Sequence, residues 1–310
     1  MSQLRIHLFG KFSARCDDAA LGGLDACKVQ ELFSYLLIHR DRPHSREALA
    51  ALLWGDTFTA KSKKYLRQAL WQLQGVLGAA GAPEAGVLAV EHDWVQLNSG
   101  AGVWLDVAVL ECASAAAQAG EAGEPGEATV ELLRSAAEVY RGDLLEGWYQ
   151  DWCLYERERL QNIYLSVLDK LVSYCEAHRQ FELGLVYGSQ ILRYDRARER
   201  THRQLMSLQY QSGDRTAALR QYERCAAALE EELGVRPDRR TVALYQQIRG
   251  GQNETPAPAE HLGRGGEKPA ASPLSDMLGQ LRQIQTILTD VQQRVNKEIK
   301  AVELALDKTS

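Results

Sequence analysis

Hydrophobic and polar positions change period several times along the 310 residues. Leu4, Ile6 and Leu8 alternate with polar neighbours, which predicts a short half-buried strand. Gly10-Lys11 allows a turn, Phe12 to Cys16 reads as a second strand, and Leu21 closes a small N-terminal sheet after the turn signal Asp17-Asp18. From Lys28 the period becomes helical. Val29, Leu32, Phe33, Leu36 and Leu37 line one face up to about Arg40. Asp41-Arg42-Pro43 ends that helix, because proline lacks a backbone donor and disfavours helical backbone in the preceding residue. Ser45 then stands where an N-cap is needed for a short second helix with Leu49, Leu52 and Leu53 facing inward, and Trp54-Gly55-Asp56 ends it. A third helix follows over Ala60 to Gly78, with Leu66, Leu70, Leu73 and Leu77 as its apolar stripe. Val87 to Val90 and Trp94 to Leu97 flank Glu91-His92-Asp93 and predict a hairpin. The order is small sheet, three helices, hairpin.

Beyond Val103 the pattern is helical throughout. Asp106 is placed to cap a helix opening at Trp104 to Leu110. Leu132, Leu133, Ala136, Ala137 and Tyr140 mark another, and Trp148 to Tyr174 a long one. Leu171 and its neighbours line up with Leu205 and its neighbours at an offset of 34 residues, and Leu185 meets Leu219 at the same offset. That is the tetratricopeptide (TPR) period, in which each helix pair buries its apolar face only by stacking on the next. An ordinary helical bundle shares the spacing. Residues 251–273 are rich in Gly, Pro, Ala and Glu and read as a flexible linker. After it, Leu274, Leu281, Leu288, Val295 and Val302 recur every seven residues, with Met277, Ile284 and Val291 between them. Glu298 interrupts this series, and Ile299 and Leu306 shift the stripe by one. The stretch 274–308 therefore reads as an amphipathic helix with a coiled-coil pattern. Leu281, Ile284, Leu288, Val291 and Val295 are its self-association candidates, for a homodimer or higher oligomer. The alternative is a helix folded back on the helical domain.

Charge sharpens one segment. The chain carries a net charge of -5. Residues 1–100 hold 11 basic and 10 acidic side chains, residues 101–250 hold 18 and 23, and residues 251–310 hold 7 and 8. No acidic residue lies between Asp56 and Glu84, so Lys61, Lys63, Lys64 and Arg67 give the third helix a local charge of +4. A helix with one leucine face and one basic, amide-rich face suits the major groove of double-stranded DNA. Lysine and arginine reach phosphates or guanine edges there, and glutamine reads adenine. The contact candidates are Lys63, Lys64, Arg67, Gln68, Trp71 and Gln72, with Lys61 placed for phosphate at the helix start and His92 at the hairpin tip for the minor groove or backbone. A solvated face on an ordinary core helix is the competing reading, and Trp71 is as compatible with a core role as with stacking on sugar.

Other chemistry is not indicated. The six cysteines show no C-x-x-C pairing or zinc-finger spacing and read as reduced, mostly buried thiols. No Walker A, G-x-G-x-x-G, G-x-S-x-G or H-E-x-x-H stretch appears, and His178 and His202 have no ligand-like neighbours. The expectation is a protein that is not an enzyme and needs no metal or cofactor. The start MSQLRIHLFG lacks a signal-peptide pattern, and no apolar run approaches the ~20 residues of a membrane span, so a cytoplasmic location is expected.

The first hundred residues resemble the winged-helix DNA-binding domain of the OmpR type. The stretches LRIHLFGKF, KVQELFSYLLIHRDRPHSREALAALLWGD and KKYLRQALWQLQGVLG carry the likeness. The run from LRYDRARERTHRQ to TVALYQQI, and EEELGVRPD in particular, resembles the bacterial transcriptional activator domain (BTAD). The two together are similar to regulators of the Streptomyces antibiotic regulatory protein (SARP) type, over about residues 4–250. The resemblance implies a mainly α fold with a small β component. A winged helix would occupy residues 1–100 and a TPR-like helical domain residues 101–250. It further implies a transcription regulator, usually an activator. The loop at Trp54, Asp56 and Thr57 would touch RNA polymerase, and the helical domain would dimerise the protein or receive a signal. The rival expectation is a protein-interaction adaptor whose TPR-like domain and C-terminal helix dock partners.

Overall fold

The computed structural model describes residues 4–17, 19–24, 26–55, 59–79, 86–98, 102–119 and 125–250. The linker expected over 251–273 and the heptad stretch over 274–308, with Leu281, Ile284, Leu288, Val291 and Val295, lie outside the described residues.

The chain opens with β1 (Leu4–His7), β2 (Ser13–Cys16) and β3 (Ala19–Ala20). It continues through α1 (Cys27–Ile38), β4 (His44–Ser45), α2 (Arg46–Trp54) and α3 (Thr59–Ala79) to the hairpin β5 (Leu88–Val90) and β6 (Trp94–Leu97). Then come β7 (Trp104–Leu105), α4 (Asp106–Ala119), α5 (Glu127–Val139) and α6 (Asp151–Ala177). The last helices are α7 (Phe181–Tyr194), α8 (Glu199–Gln211), α9 (Arg215–Leu233) and α10 (Arg239–Gly250). The fold is mainly helical with a small β component at the N-terminal end, as the hydrophobic pattern implies.

Two sheets frame the first three helices. The alternation in β1 buries Leu4 and Ile6 and exposes Arg5, and β1 runs antiparallel to β2. The strand order is β3-β2-β1-β7, so this N-terminal sheet takes its fourth strand, parallel to β1, from beyond residue 100. The second sheet, β4-β6-β5, is the wing. Ser45 occupies the N-cap position of α2 but makes no side-chain capping bond. Its backbone is held in β4 against Trp94, and the Arg46 amide donates instead to the Asp93 carbonyl at 3.0 Å. The wing thus satisfies the first free amide of α2, and the Arg46 guanidinium adds a 3.0 Å bond to the Glu91 carbonyl.

The helices from α6 onward pack in sequence order, each on the next, with α10 on α9. Leu171 and Leu205, the matched positions of the repeat, are both buried, and Leu185 and Leu219 are half-buried. Gly188 and Gly184 let α7 approach α8 closely: an added Cβ would lie 2.5 Å from the Leu205 side chain and 2.8 Å from that of Leu208. Helix α9 has both ends written locally. Asp214 accepts from the Ala217 amide at 2.8 Å, and Gly234 takes the left-handed conformation (φ 64°) that closes a helix. Cys153, Cys175 and Cys225 are buried, whereas Cys27 and Cys112 are exposed on the solvent sides of α1 and α4.

The N-terminal sheet is stitched to the helical region at the end of β1. Asp106, expected only to cap its own helix, uses one carboxylate oxygen for the Val107 amide at 2.8 Å. Its other oxygen accepts the amides of Leu8 and Phe9 at 2.8 and 3.0 Å. Burial pushes the Asp106 carboxyl above its ordinary 3.8, and the three amides and His7 pull the other way. The Leu8 carbonyl accepts from Leu145, and the Gly10 amide and carbonyl bond Asp143 and Glu146. Arg157 holds this turn from beneath, donating to the carbonyls of Leu144, Leu145 and Trp148 at 2.9–3.1 Å. That contact fixes Leu145, a buried non-glycine residue at positive φ (47°). Phe9 enters an aromatic cluster with Tyr140, which stacks on Tyr164 at 3.9 Å. On α1, buried Glu31 accepts from the Trp152 indole at 3.2 Å and from Lys28 at 2.8 Å. The described residues accordingly form one compact unit.

Asp106→Ala would orphan the buried amides of Leu8 and Phe9. At about 1–3 kcal/mol per unsatisfied group, urea unfolding should show a loss of roughly 2–6 kcal/mol. A loss below about 1 kcal/mol would contradict the role of this carboxylate.

Candidate nucleic-acid interface

Helix α3 is two-faced in the way its sequence implies. Ser62, Leu66, Ala69, Leu70, Leu73 and Leu77 are buried against the core. Lys61, Lys63, Lys64, Arg67, Gln68, Trp71 and Gln72 are all exposed. At 100° per residue, the buried set centres opposite a strip through Lys64, Gln68, Trp71 and Gly75, with Lys61 and Arg67 at its borders. Trp71 is 74% exposed, so the core role that its aromatic character allowed does not apply. Gln72 and Trp71 border a groove of about 680 Å³ against the turn after β2.

The four cations of the helix do not stand alike. Lys63 lies on the flank toward α2, where its ammonium meets Glu47 at 2.5 Å. Both side chains are at least half exposed, so the pair adds little stability, yet it places an anion beside the lysine. Lys61, Lys64 and Arg67 make no hydrogen bond or ion pair among the described residues.

The wing comes close to the start of this helix. Ser45, Arg46, Glu47, Lys63, Leu66, Arg67, His92 and Asp93 line one cleft of about 720 Å³. Lys63, Arg67 and His92, far apart in sequence, therefore share one concave surface. His92 is almost wholly exposed at the hairpin tip, and its Nδ1 lies 2.6 Å from the Asp93 carboxylate. Arg46 reaches the wing as well, a placement that the hydrophobic pattern does not predict. Its signal was a cation at the first turn of α2, and only the pairing of β4 with β6 brings it to the wing. Trp54 is half-buried, its ring 6.3 Å from that of Tyr65, and Asp56 and Thr57 lie outside the described residues. Among the described residues, no group of His, Cys, Asp and Glu could hold a metal ion, and no helix is long and apolar enough to cross a membrane.

A wing and a two-faced third helix, fused through a shared sheet to stacked helix pairs, define a winged helix joined to a TPR-like domain. Residues 105–249 match the family described as the bacterial transcriptional activator domain. The chain is similar to bacterial transcriptional regulators of the SARP type. It is 28% identical over 250 residues to the regulatory protein AfsR of Streptomyces coelicolor, a match spanning 79% of this chain and 24% of AfsR. It is 24% identical over 223 residues to the transcriptional regulatory protein MoaR1 of Mycobacterium tuberculosis, covering 71% of each chain. The fold is similar to that of Mycobacterium tuberculosis EmbR, solved in complex with a low-affinity phosphopeptide. The TM-score is 0.57 at 20% identity, over 82% of this chain and 66% of EmbR.

Because Trp71 touches solvent rather than core, Trp71→Ala should leave folding stability within about 0.5 kcal/mol by denaturant unfolding. A loss above about 2 kcal/mol would restore the core role.

Proposed function

We propose that the protein is a sequence-specific DNA-binding transcription regulator, an activator that recruits RNA polymerase to a nearby promoter. The observation that carries this reading is the outward face of α3. There Lys61, Lys64 and Arg67 have no ion-pair partner among the described residues, and the wing tip shares a cleft with Arg67. Unneutralised cations on a convex helix are matched by the phosphate backbone, whose counterions they displace. Gln68 and Gln72, on the same side, add amide groups able to pair with adenine edges. Trp71 contributes a flat apolar surface for sugar or base methyl groups.

In this reading residues 1–100 bind DNA, and residues 101–250 dimerise the protein or receive a signal. Residues 251–273 form a linker, and the heptads of 274–308 self-associate. The loop carrying Trp54, Asp56 and Thr57 meets polymerase. All of this takes place in the cytoplasm. The names of AfsR and MoaR1, both regulatory proteins, support the assignment.

The division of labour along α3 is testable by titration of duplex DNA at several salt concentrations. Arg67→Ala should cost about 1–3 kcal/mol on the preferred site and relax specificity at one base pair. Lys61→Ala should weaken all sequences alike and lower the salt slope by about one. Glu47→Gln removes the anion that competes for Lys63 and should tighten binding at low salt. Equal losses on preferred and random DNA for the two alanine variants would contradict the reading.

A further inference from the structure

The helical domain has a second concentration of cations, unrelated to α3. The C-terminal end of α7, the start of α8 and the second half of α9 converge on an open cavity of about 350 Å³. Its floor is made by the buried side chains of Leu205, Ala228 and His202. The His202 ring is fixed by two bonds. The Gln221 amide reaches Nδ1 at 2.7 Å, which leaves Nε2–H to donate to the Arg196 carbonyl at 2.9 Å. Burial lowers the His202 pKa from its ordinary 6.5, so the floor is uncharged at neutral pH.

The rim is different. Arg193, Arg196 and Arg224 border the cavity from α7, the segment after it, and α9. Arg196 is neutralised by Glu231 and Glu232 at 3.3 and 3.8 Å. Arg193 and Arg224 make no hydrogen bond or ion pair among the described residues. Along α9 the surface continues past Arg220 and Glu223. In a region where acidic side chains outnumber basic ones 23 to 18, two unpaired guanidiniums facing one apolar-floored cavity leave a positive site without its counter-charge. A guanidinium fork matches the paired oxygens of a carboxylate or phosphate, and a few convergent polar groups around an apolar floor are the usual build of a small-molecule site.

We propose that this cavity between α7, α8 and α9 binds a small amphipathic anion, with its carboxylate or phosphate between Arg193 and Arg224 and its apolar body over Leu205 and Ala228. A cavity of this size takes a small molecule rather than a helix or a duplex. The site is independent of the DNA-binding reading, and it gives the helical domain an input of defined chemistry. It sits where α7, α8 and α9 meet, so a ligand there would brace the stacking of one helix pair on the next.

The test is calorimetric titration of the full chain with phenyl phosphate, benzoate and uncharged benzamide at constant ionic strength. Phenyl phosphate, benzoate or both should bind saturably and benzamide should not, and the tighter anion identifies the headgroup. The double variant Arg193→Gln, Arg224→Gln, at two exposed positions, should bind at least about tenfold more weakly, since each charge-assisted hydrogen bond lost weakens binding. Ser189→Phe, which fills the cavity from α7 without changing charge, should abolish binding as well. Absence of saturable binding by either anion, equal binding of benzamide, or undiminished binding by the double variant would overturn the proposal. So would binding of an oligoglutamate peptide with neither small anion, which would assign the cations to a protein partner.

Discussion

One buried carboxylate holds two otherwise separable modules in register. Strand β1 ends at His7, and the next two amides, those of Leu8 and Phe9, donate to a side chain. Asp106 takes both with one oxygen while its other oxygen caps α4. Because Asp106 directly follows β7, the same few residues extend the sheet, satisfy its orphaned donors and start the helical domain. An unsatisfied buried donor costs more than a typical hydrogen bond gains, so this arrangement constrains the chain more strongly than its few bonds suggest. The turn at Leu144 and Leu145 closes the other side of β1's extension, with Arg157 gripping its carbonyls.

The consequence is a division of surfaces. The helical domain docks on the end of β1 and on α1, through Glu31, Trp152 and the edge-on contact of Tyr35 with Trp152 at 5.4 Å. A second polar seam runs from Arg40 through Glu111 to Arg159 and Glu156, at 2.6–2.7 Å between successive partners. Helix α3 takes no part in either seam. Its leucine stripe faces α1 and α2, and its basic face stays open. The winged helix is thereby anchored on the side of β1 and α1, away from the basic face of α3.

Much of this was legible in sequence because it is local. The 3.6-residue stripe of α3, the alternation in β1 and the hairpin around His92 are each written in a few consecutive residues. The 34-residue offset pairs Leu171 with Leu205, both of which are buried. What escaped is non-local. Ser45 carries the right side chain for a cap but makes no capping bond, and the Arg46 amide donates to the Asp93 carbonyl, 47 positions beyond Arg46. Asp106 reads as an ordinary helix cap until β1 is laid beside β7. Lys63 reads as one of four equal cations until α2 brings Glu47 to it. The cavity lined by Arg193 and Arg224 needs three helices to exist. Trp71 shows the opposite limit: its residue type argues for burial, and only the phase of the helix decides for exposure.

Selection of bound sequences from a random duplex pool tests the central claim most directly, with the wild type and a Lys63→Ala, Lys64→Ala, Arg67→Ala triple variant run side by side at one salt concentration. A major-groove role for α3 predicts that the wild type enriches a repeated motif and that the triple variant, still folded, does not. A triple variant that enriches the same motif equally well, or a wild type that enriches none, would contradict it.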